Sequence, residues 1–327
     1  MTHKPLFLAI MAGLALPVMA AEEALPTVKV QAKLSDIDAV VAKEGQRVGA
    51  DEGAQQVSGE YIKAQQATTL ADALRKTASV QIDEEGGQQG VLVFIRGFTQ
   101  DQVSVRVEGA PKNFNQVRHG GAGTIWLEPN MYKSVSVVPG VASNVYGNGS
   151  LGGVVLMETK DPSDVIKAGN NFGANIRLGG ESNGQSEFVS VDLGGNINEQ
   201  LALSSTIVMR DTDKYEDGNG EKALLGATGT EDKNYLLKAV YQPTADQRLE
   251  ASWVGLSKEY TARTTVGSGA YTDPRFNEVD DNTYSLQYKL SPESNQYLDL
   301  NARLSVAETK RARFDLDEIV PDIWAVT

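Results

Sequence analysis

The residues best equipped for chemistry in this 327-residue sequence lie in one polar, glycine-rich stretch, residues 110–124 (APKNFNQVRHGGAGT). His119 stands there before Gly120 and Gly121, with Phe114, Asn115 and Arg118 upstream. A neutral imidazole is an effective axial donor to haem iron and titrates near physiological pH. The glycines leave space for a flat macrocycle, and Phe114 offers a ring to stack on it. A solvated loop histidine is the plain alternative. Other patterns fail on context. Gly147-Asn148-Gly149-Ser150-Leu151-Gly152 matches the dinucleotide fingerprint, but a strand rather than a helix is expected after it. Asn148 replaces the first glycine of a serine-hydrolase elbow. Asp213, Asp217, Gly218 and Gly220 hint at a calcium loop, yet Tyr215 takes a ligand position and no glutamate closes it. No carboxylate pair, metal-ligand cluster or nucleophile constellation stands out, so neither an enzyme nor a resident metal is expected.

Composition narrows the classes further. Zero cysteines exclude disulfide staples, thiolate metal sites and thioether-linked haem. A net charge of -13 repels nucleic acid. A mean hydropathy of -0.29 excludes a bundle of membrane helices. Leu6–Val18 is an apolar run of secretory length, and Val18-Met19-Ala20 predicts cleavage after Ala20. His3 leaves with that segment, which makes His119 the one remaining histidine.

Three stretches must position these residues. Residues 21–56 are polar and weakly patterned, a mobile leader. Within it Pro26–Ala32 (PTVKVQA) alternates strand formers with polar residues but has no hairpin partner nearby. Residues 57–160 read as α+β. Thr69 caps a predicted helix through Leu70, Ala73, Leu74 and Thr77. Short strands are predicted around Val91–Ile95, Val103–Val107, Val135–Val137 and Val154–Met157. Arg96, Arg106 and Glu108 are charges on these otherwise apolar segments.

From about Phe172 the texture changes to long alternating segments. Leu201, Leu203, Ile207 and Met209 share one face, as do Tyr235, Leu237, Ala239 and Tyr241 opposite Asn234, Lys238 and Gln242. Short turns near 196–200, 243–246 and 291–295 alternate with long polar connections over 211–233 and 257–282. Short turns at one end and long loops at the other are what a transmembrane β-barrel requires. A soluble β-sandwich shares the alternation but has no reason to alternate its connection lengths. The fold class expected is therefore an α+β domain followed by the first ~7 antiparallel strands of an incomplete barrel. A barrel wide enough to hold such a domain needs about 22 strands, so a longer product is expected.

The order of leader, α+β domain and strands resembles the TonB-dependent outer-membrane receptors. The likeness rests on Pro26–Ala32 as a TonB box, Ile95–Phe98 (IRGF), Val103–Gly109 (VSVRVEG), Val135–Gly140 (VSVVPG) and Val145–Val155 (VYGNGSLGGVV). Glu108-Gly109 stands where the family usually reads Asp-Gly. The resemblance divides the chain into a signal peptide (1–20), a leader with the TonB box (21–56), a plug domain (57–160) and the N-terminal part of the barrel (161–327). It implies an outer-membrane location among lipid. It also implies a TonB-type partner that adds a strand to Thr27, Val28, Lys29 and Val30. Arg96, Arg106 and Glu108 become plug–barrel contacts that face barrel carboxylates, with solvated edge residues the plain alternative. The block around His119 is similar to the haem and haemoprotein branch, with haem a transported ligand rather than a permanent cofactor. Two alternatives stay open: a ferric-siderophore receptor of the same class, and a secreted β-rich adhesin or binding protein.

Overall fold

The structure, a computed structural model, describes residues 55–84, 90–98, 102–112, 125–141, 150–183, 186–213, 216, 226–263, 275–292, 294, 295 and 297–315. The TonB-box segment Thr27–Val30 and the loop residues Phe114, Asn115, Arg118 and His119 lie outside them.

The first half is built on short strands. It opens with β1 (Gln55–Ser58), α1 (Gly59–Ala64), α2 (Leu70–Leu74), β2 (Val80–Glu84) and β3 (Val91–Ile95). Then come β4 (Val103–Val107), β5 (Ala110–Pro111), a 3-10 turn over Pro129–Met131, β6 (Tyr132–Pro139) and β7 (Gly153–Thr159). The main sheet runs β1-β6-β7-β4-β5, with β4 and β7 parallel; β2 and β3 form a separate hairpin. Thr69 caps α2 as expected, its hydroxyl taking the Asp72 amide while Asp72 reaches back to the Thr69 amide. The helix ends at Leu74, before Thr77. The sequence pattern predicts no element over 55–64, where β1 and α1 lie; Ser58, which accepts from the Tyr61 amide, caps α1. Val93, Ile95, Val105, Val107, Val135, Val137 and Val155 are all fully buried, with Ile62, Leu70 and Leu74 of the two helices packed into the same core. At roughly 1.5–3 kcal/mol for each large apolar side chain, this is a core that holds itself together.

After the short α3 (Pro162–Val165) the second half begins. It comprises β8 (Phe172–Glu181), β9 (Ser186–Asn196), β10 (Leu201–Thr212), β11 (Gly226–Thr244), β12 (Gln247–Arg263), β13 (Arg275–Leu290) and β14 (Leu300–Asp315). The seven form one antiparallel meander in chain order. Its strands are longer than the apolar alternation suggests. β10 runs to Thr212, β11 starts at Gly226 and β12 reaches Arg263, so the ladder extends into stretches expected to be loops. The apolar alternation marks only the part of each strand inside hydrocarbon; beyond it a paired strand can be polar on both faces.

The two faces are inverted relative to a soluble sheet. Leu203, Ile207, Leu237, Tyr284, Leu286, Leu304 and Val306 are exposed, between 37% and 68%. Their neighbours Ser190, Asp192, Thr206, Arg210, Asn234, Lys238, Asn277 and Thr283 are buried. A β-sandwich buries its apolar face, so the adhesin alternative does not survive this arrangement. Polar inside and apolar outside is a barrel wall. Arginine in place of Leu286 should destabilise the full-length receptor in lipid by about 2–4 kcal/mol, the cost of a charge on the lipid face near the midplane. On a water-facing sheet the same change would stay within about 0.5 kcal/mol. Urea unfolding in detergent-free lipid separates the two outcomes.

Candidate functional site

The chemistry among the described residues is concentrated where the plug domain meets the wall, and it begins at a hairpin. Val107 and Ala110 pair across the two-residue turn Glu108-Gly109, and both turn residues have positive φ, +48° and +79°. That is the backbone of a type I′ turn, which matches the twist of the flanking strands and accepts glycine readily. Gly109 meets a second demand: a Cβ there would lie 2.6 Å from Cδ of Arg303 on β14. Glu108 is a non-glycine residue in a left-handed conformation, and its side chain is held in place. It is buried and accepts hydrogen bonds from the amide (2.9 Å) and hydroxyl of Thr159.

Glu108 also accepts from Nζ of Lys238 on β11, at 3.1 Å. The same ammonium donates to Asp161 (2.8 Å) and to the Thr159 carbonyl (3.3 Å), and Glu250 of β12 lies 3.8 Å away. Its side chain is 2% exposed. Around this hub Asp161 also receives Lys133 at 2.8 Å and Arg248 at 3.3 Å, while Glu250 receives Arg248 at 2.6 Å and Lys289 at 3.3 Å. Burial acts to raise the Glu108 carboxyl, but Lys238 and the Thr159 hydrogen bonds outweigh it and hold it below its ordinary value. Asp161 is lowered too, burial again being outweighed by Lys238 and Lys133. Asp161 doubles as the N-cap of α3, its amide donating to Asp164 at 2.7 Å.

Three further buried pairs join plug to wall. Lys160 donates to Asp192 of β9 at 2.7 Å, and Thr206 of β10 donates to the same carboxylate. Burial pulls the Lys160 ammonium down to about 8 despite that partner. Glu128 caps the 3-10 turn and pairs with Arg210 of β10 at 3.3 Å. Lys112, which leads into the His119 stretch, pairs with Asp281 of β13; Asp281 also accepts from Thr309 of β14. Burial lowers the Lys112 ammonium. Where that stretch returns, Trp126 packs with Tyr260 and Val279, and the Arg311 guanidinium lies 5.9 Å from the Trp126 ring and 5.8 Å from the Tyr260 ring.

The expected contact residues fall differently from one another. Glu108 meets a wall lysine and not the barrel carboxylate expected of it, because a buried carboxylate needs a cation opposite it; at this contact the plug supplies the carboxylate and the wall the cation. Arg106 donates to the Gly109 carbonyl (2.7 Å) and to Ser104 (3.3 Å), within its own hairpin region. Arg96 lies one residue past β3, exposed, with a φ of +52° and its amide donating to the Ser79 carbonyl. Sequence reasoning misses Lys238, Asp161, Glu250, Lys160, Asp192, Glu128 and Arg210 as contact residues. A signal for them exists: each wall member is a charge on the inward side of an alternating strand. The partners across plug and wall, however, are separated by 32–169 residues.

Removing one member of a buried pair leaves its partner charged and dry. Lys238→Met should lower the unfolding free energy of the plug in the full-length receptor by about 3–5 kcal/mol, and adding Glu108→Gln should recover part of it. The lowered Glu108 and Asp161 carboxyls contribute stability that is complete above the unfolded values of 4.5 and 3.8. It should disappear only as pH falls through their lower folded values; denaturant titrations across pH check this.

Comparisons with known proteins agree with this geometry. Residues 49–154 match the family described as TonB-dependent Receptor Plug Domain. A "Hemin receptor" of Yersinia pestis is 27% identical over 196 residues, 60% of this chain and 28% of that protein. A "TonB-dependent heme receptor A" of Haemophilus ducreyi is 24% identical over 76% of this chain and 36% of that protein. Among solved structures, the Serratia marcescens hemophore receptor HasR, in complex with its hemophore HasA and heme, superposes with a TM-score of 0.70. It is 22% identical, and the match covers 80% of this chain and 38% of HasR. The chain thus spans well under half the length of the proteins it matches. Residues 49–154 thus match the TonB-dependent receptor plug family, and the buried, charge-seated sheet they form ahead of an apolar-faced, polar-lined wall has the fold of a plug with the leading strands of its barrel.

Proposed function

We propose that this chain is the N-terminal part of an outer-membrane receptor that takes up haem, or haem released from host haemoproteins, as an iron source. The observation that carries the reading is the likeness of most of the chain to proteins named as hemin and heme receptors. His119 is the residue expected to reach the iron, with Phe114, Asn115 and Arg118 around it. In this reading residues 1–20 are removed, 21–56 carry the coupling segment, 57–160 close the barrel and 161–327 begin its wall.

Energy enters through Thr27–Val30. An extended segment pairs with a TonB-type protein by strand addition, where backbone hydrogen bonds carry the affinity. Plug–wall contacts such as Glu108 with Lys238 are those that must separate when the leader is pulled.

Two experiments on the full-length receptor test this. Val28→Pro removes a backbone donor and should abolish uptake while leaving surface binding of haem intact; equal uptake by the variant removes the coupling role. His119→Ala should alter the haem absorption spectrum and weaken binding without abolishing it, since apolar contact with the macrocycle remains. A ferric-siderophore receptor gives no haem spectrum in either protein. An unchanged spectrum in the variant returns His119 to a solvated loop.

A further inference from the structure

The receptor reading leaves open where the cargo passes the plug, and the inner face of β10–β12 carries an answer. Two voids lie on these same three strands, at opposite ends of the plug. Toward the long-loop end a small cleft of about 50 Å3 lies between the wall residues Arg210, Asn234, Leu256 and Lys258 and the plug residues Leu70 and Glu128. At the short-turn end a groove of about 660 Å3, open to solvent, is bounded by Ala202, Val240, Gln242 and Arg248 and by Ile166 and Lys167 past α3.

Strand β11 runs from one void to the other. Its inward residues in order are Asp232 and Asn234 at the cleft, then Leu236 and Lys238, then Val240 and Gln242 at the groove. Six residues separate Asn234 from Val240, about 20 Å at 3.4 Å per residue. Two side chains therefore shut the seam on this strand. Leu236, with Val208 and Val254 beside it, packs into the plug core. Lys238 spans to Glu108 and Asp161.

The row at the height of Lys238 is otherwise made of small residues. Ser204 pairs with Lys238, Lys238 with Ser252, Ser252 with Ser285, and Ser285 with Ser305. Ser204 is 8% exposed and its hydroxyl has no hydrogen-bond partner. Without the Lys238 side chain, the wall at this height offers only hydroxyls. The other cations along the seam are already paired: Arg210 with Glu128 and Lys258 with Asp232 above, Arg248 with Glu250 and Asp161 below.

We propose that the translocation path runs between plug and wall along β10–β12 and that Lys238 is the side chain that closes it. When the plug carboxylate Glu108 is drawn away, Asp161 and Glu250 stay beside Lys238 on the wall side, so its ammonium keeps partners as the seam opens. The inference rests on the receptor reading but does not depend on haem.

The test uses the full-length receptor in liposomes. Leu236→Ala/Lys238→Ala should admit a small neutral sugar, arabinose, at least tenfold faster than wild type by liposome swelling. Lys112→Ala, which removes a plug–wall ion pair on β13 instead, should not. Equal leak through both variants, or through neither, overturns the path. A second measurement avoids any loss of folding: single Ser252→Cys and Ser285→Cys variants, near-isosteric, at one height on neighbouring strands. In energised cells taking up ligand, maleimide should label the Ser252→Cys variant at least tenfold faster than in de-energised cells, with labelling of the Ser285→Cys variant unchanged. Faster labelling of the Ser285→Cys variant alone, or of both variants equally, overturns the path. A receptor that leaks as predicted yet shows no haem spectrum keeps the path and removes the haem reading, because the sugar assay needs no ligand.

Discussion

A strand wall standing in hydrocarbon must turn its apolar side chains outward, and everything else in this molecule follows from that inversion. Leu237, Leu286 and Leu304 face out because lipid is the better solvent for them, and the pleat then forces Lys238, Gln287 and Arg303 inward. The plug must fit against a lining that alternation has made polar. It cannot be held there chiefly by the hydrophobic effect.

Charge pairing is the remaining means, and its energetics suit a part that has to let go. A buried pair gains little over two well-packed apolar groups, since both charges lose their water. Its value lies in position: Lys238 fits only where Glu108 and Asp161 converge, and any displacement leaves three dry charges. Such contacts specify one seating strongly while contributing modest net stability. The plug meanwhile keeps a dry core of valines in β3, β4, β6 and β7. Val208, Leu236 and Val254 carry the wall into that core and lie on the same strands as the two voids, while Tyr260 and Val279 add a second apolar contact, to Trp126.

Local features of this design are legible in the sequence, and long-range ones are not. Thr69 with Asp72 signals a capped helix because a capping box is a four-residue pattern. The alternation of Leu201, Leu203, Ile207 and Met209 signals a wall strand because period two is intrinsic to the pleat. The outer parts of β11, β12 and β13 stay hidden, since a strand polar on both faces has no periodicity to detect. Lys238 is visible as an inward charge, but its partners Glu108 and Asp161 lie 130 and 77 residues upstream. That Glu108 opposes a cation follows from its sign; which cation depends on the register of β11 against a different domain.

Charge pairs at the inner wall, with Lys238 as their hub, are expected to set the resistance of the plug to being pulled. The most direct measurement is the force that detaches the plug when the full-length receptor, held in a membrane, is drawn through its leader. Charge-paired seating predicts a clear drop in the first rupture force for Lys238→Met and none for Leu203→Val, a change confined to the lipid face. An unchanged rupture force in Lys238→Met would contradict it.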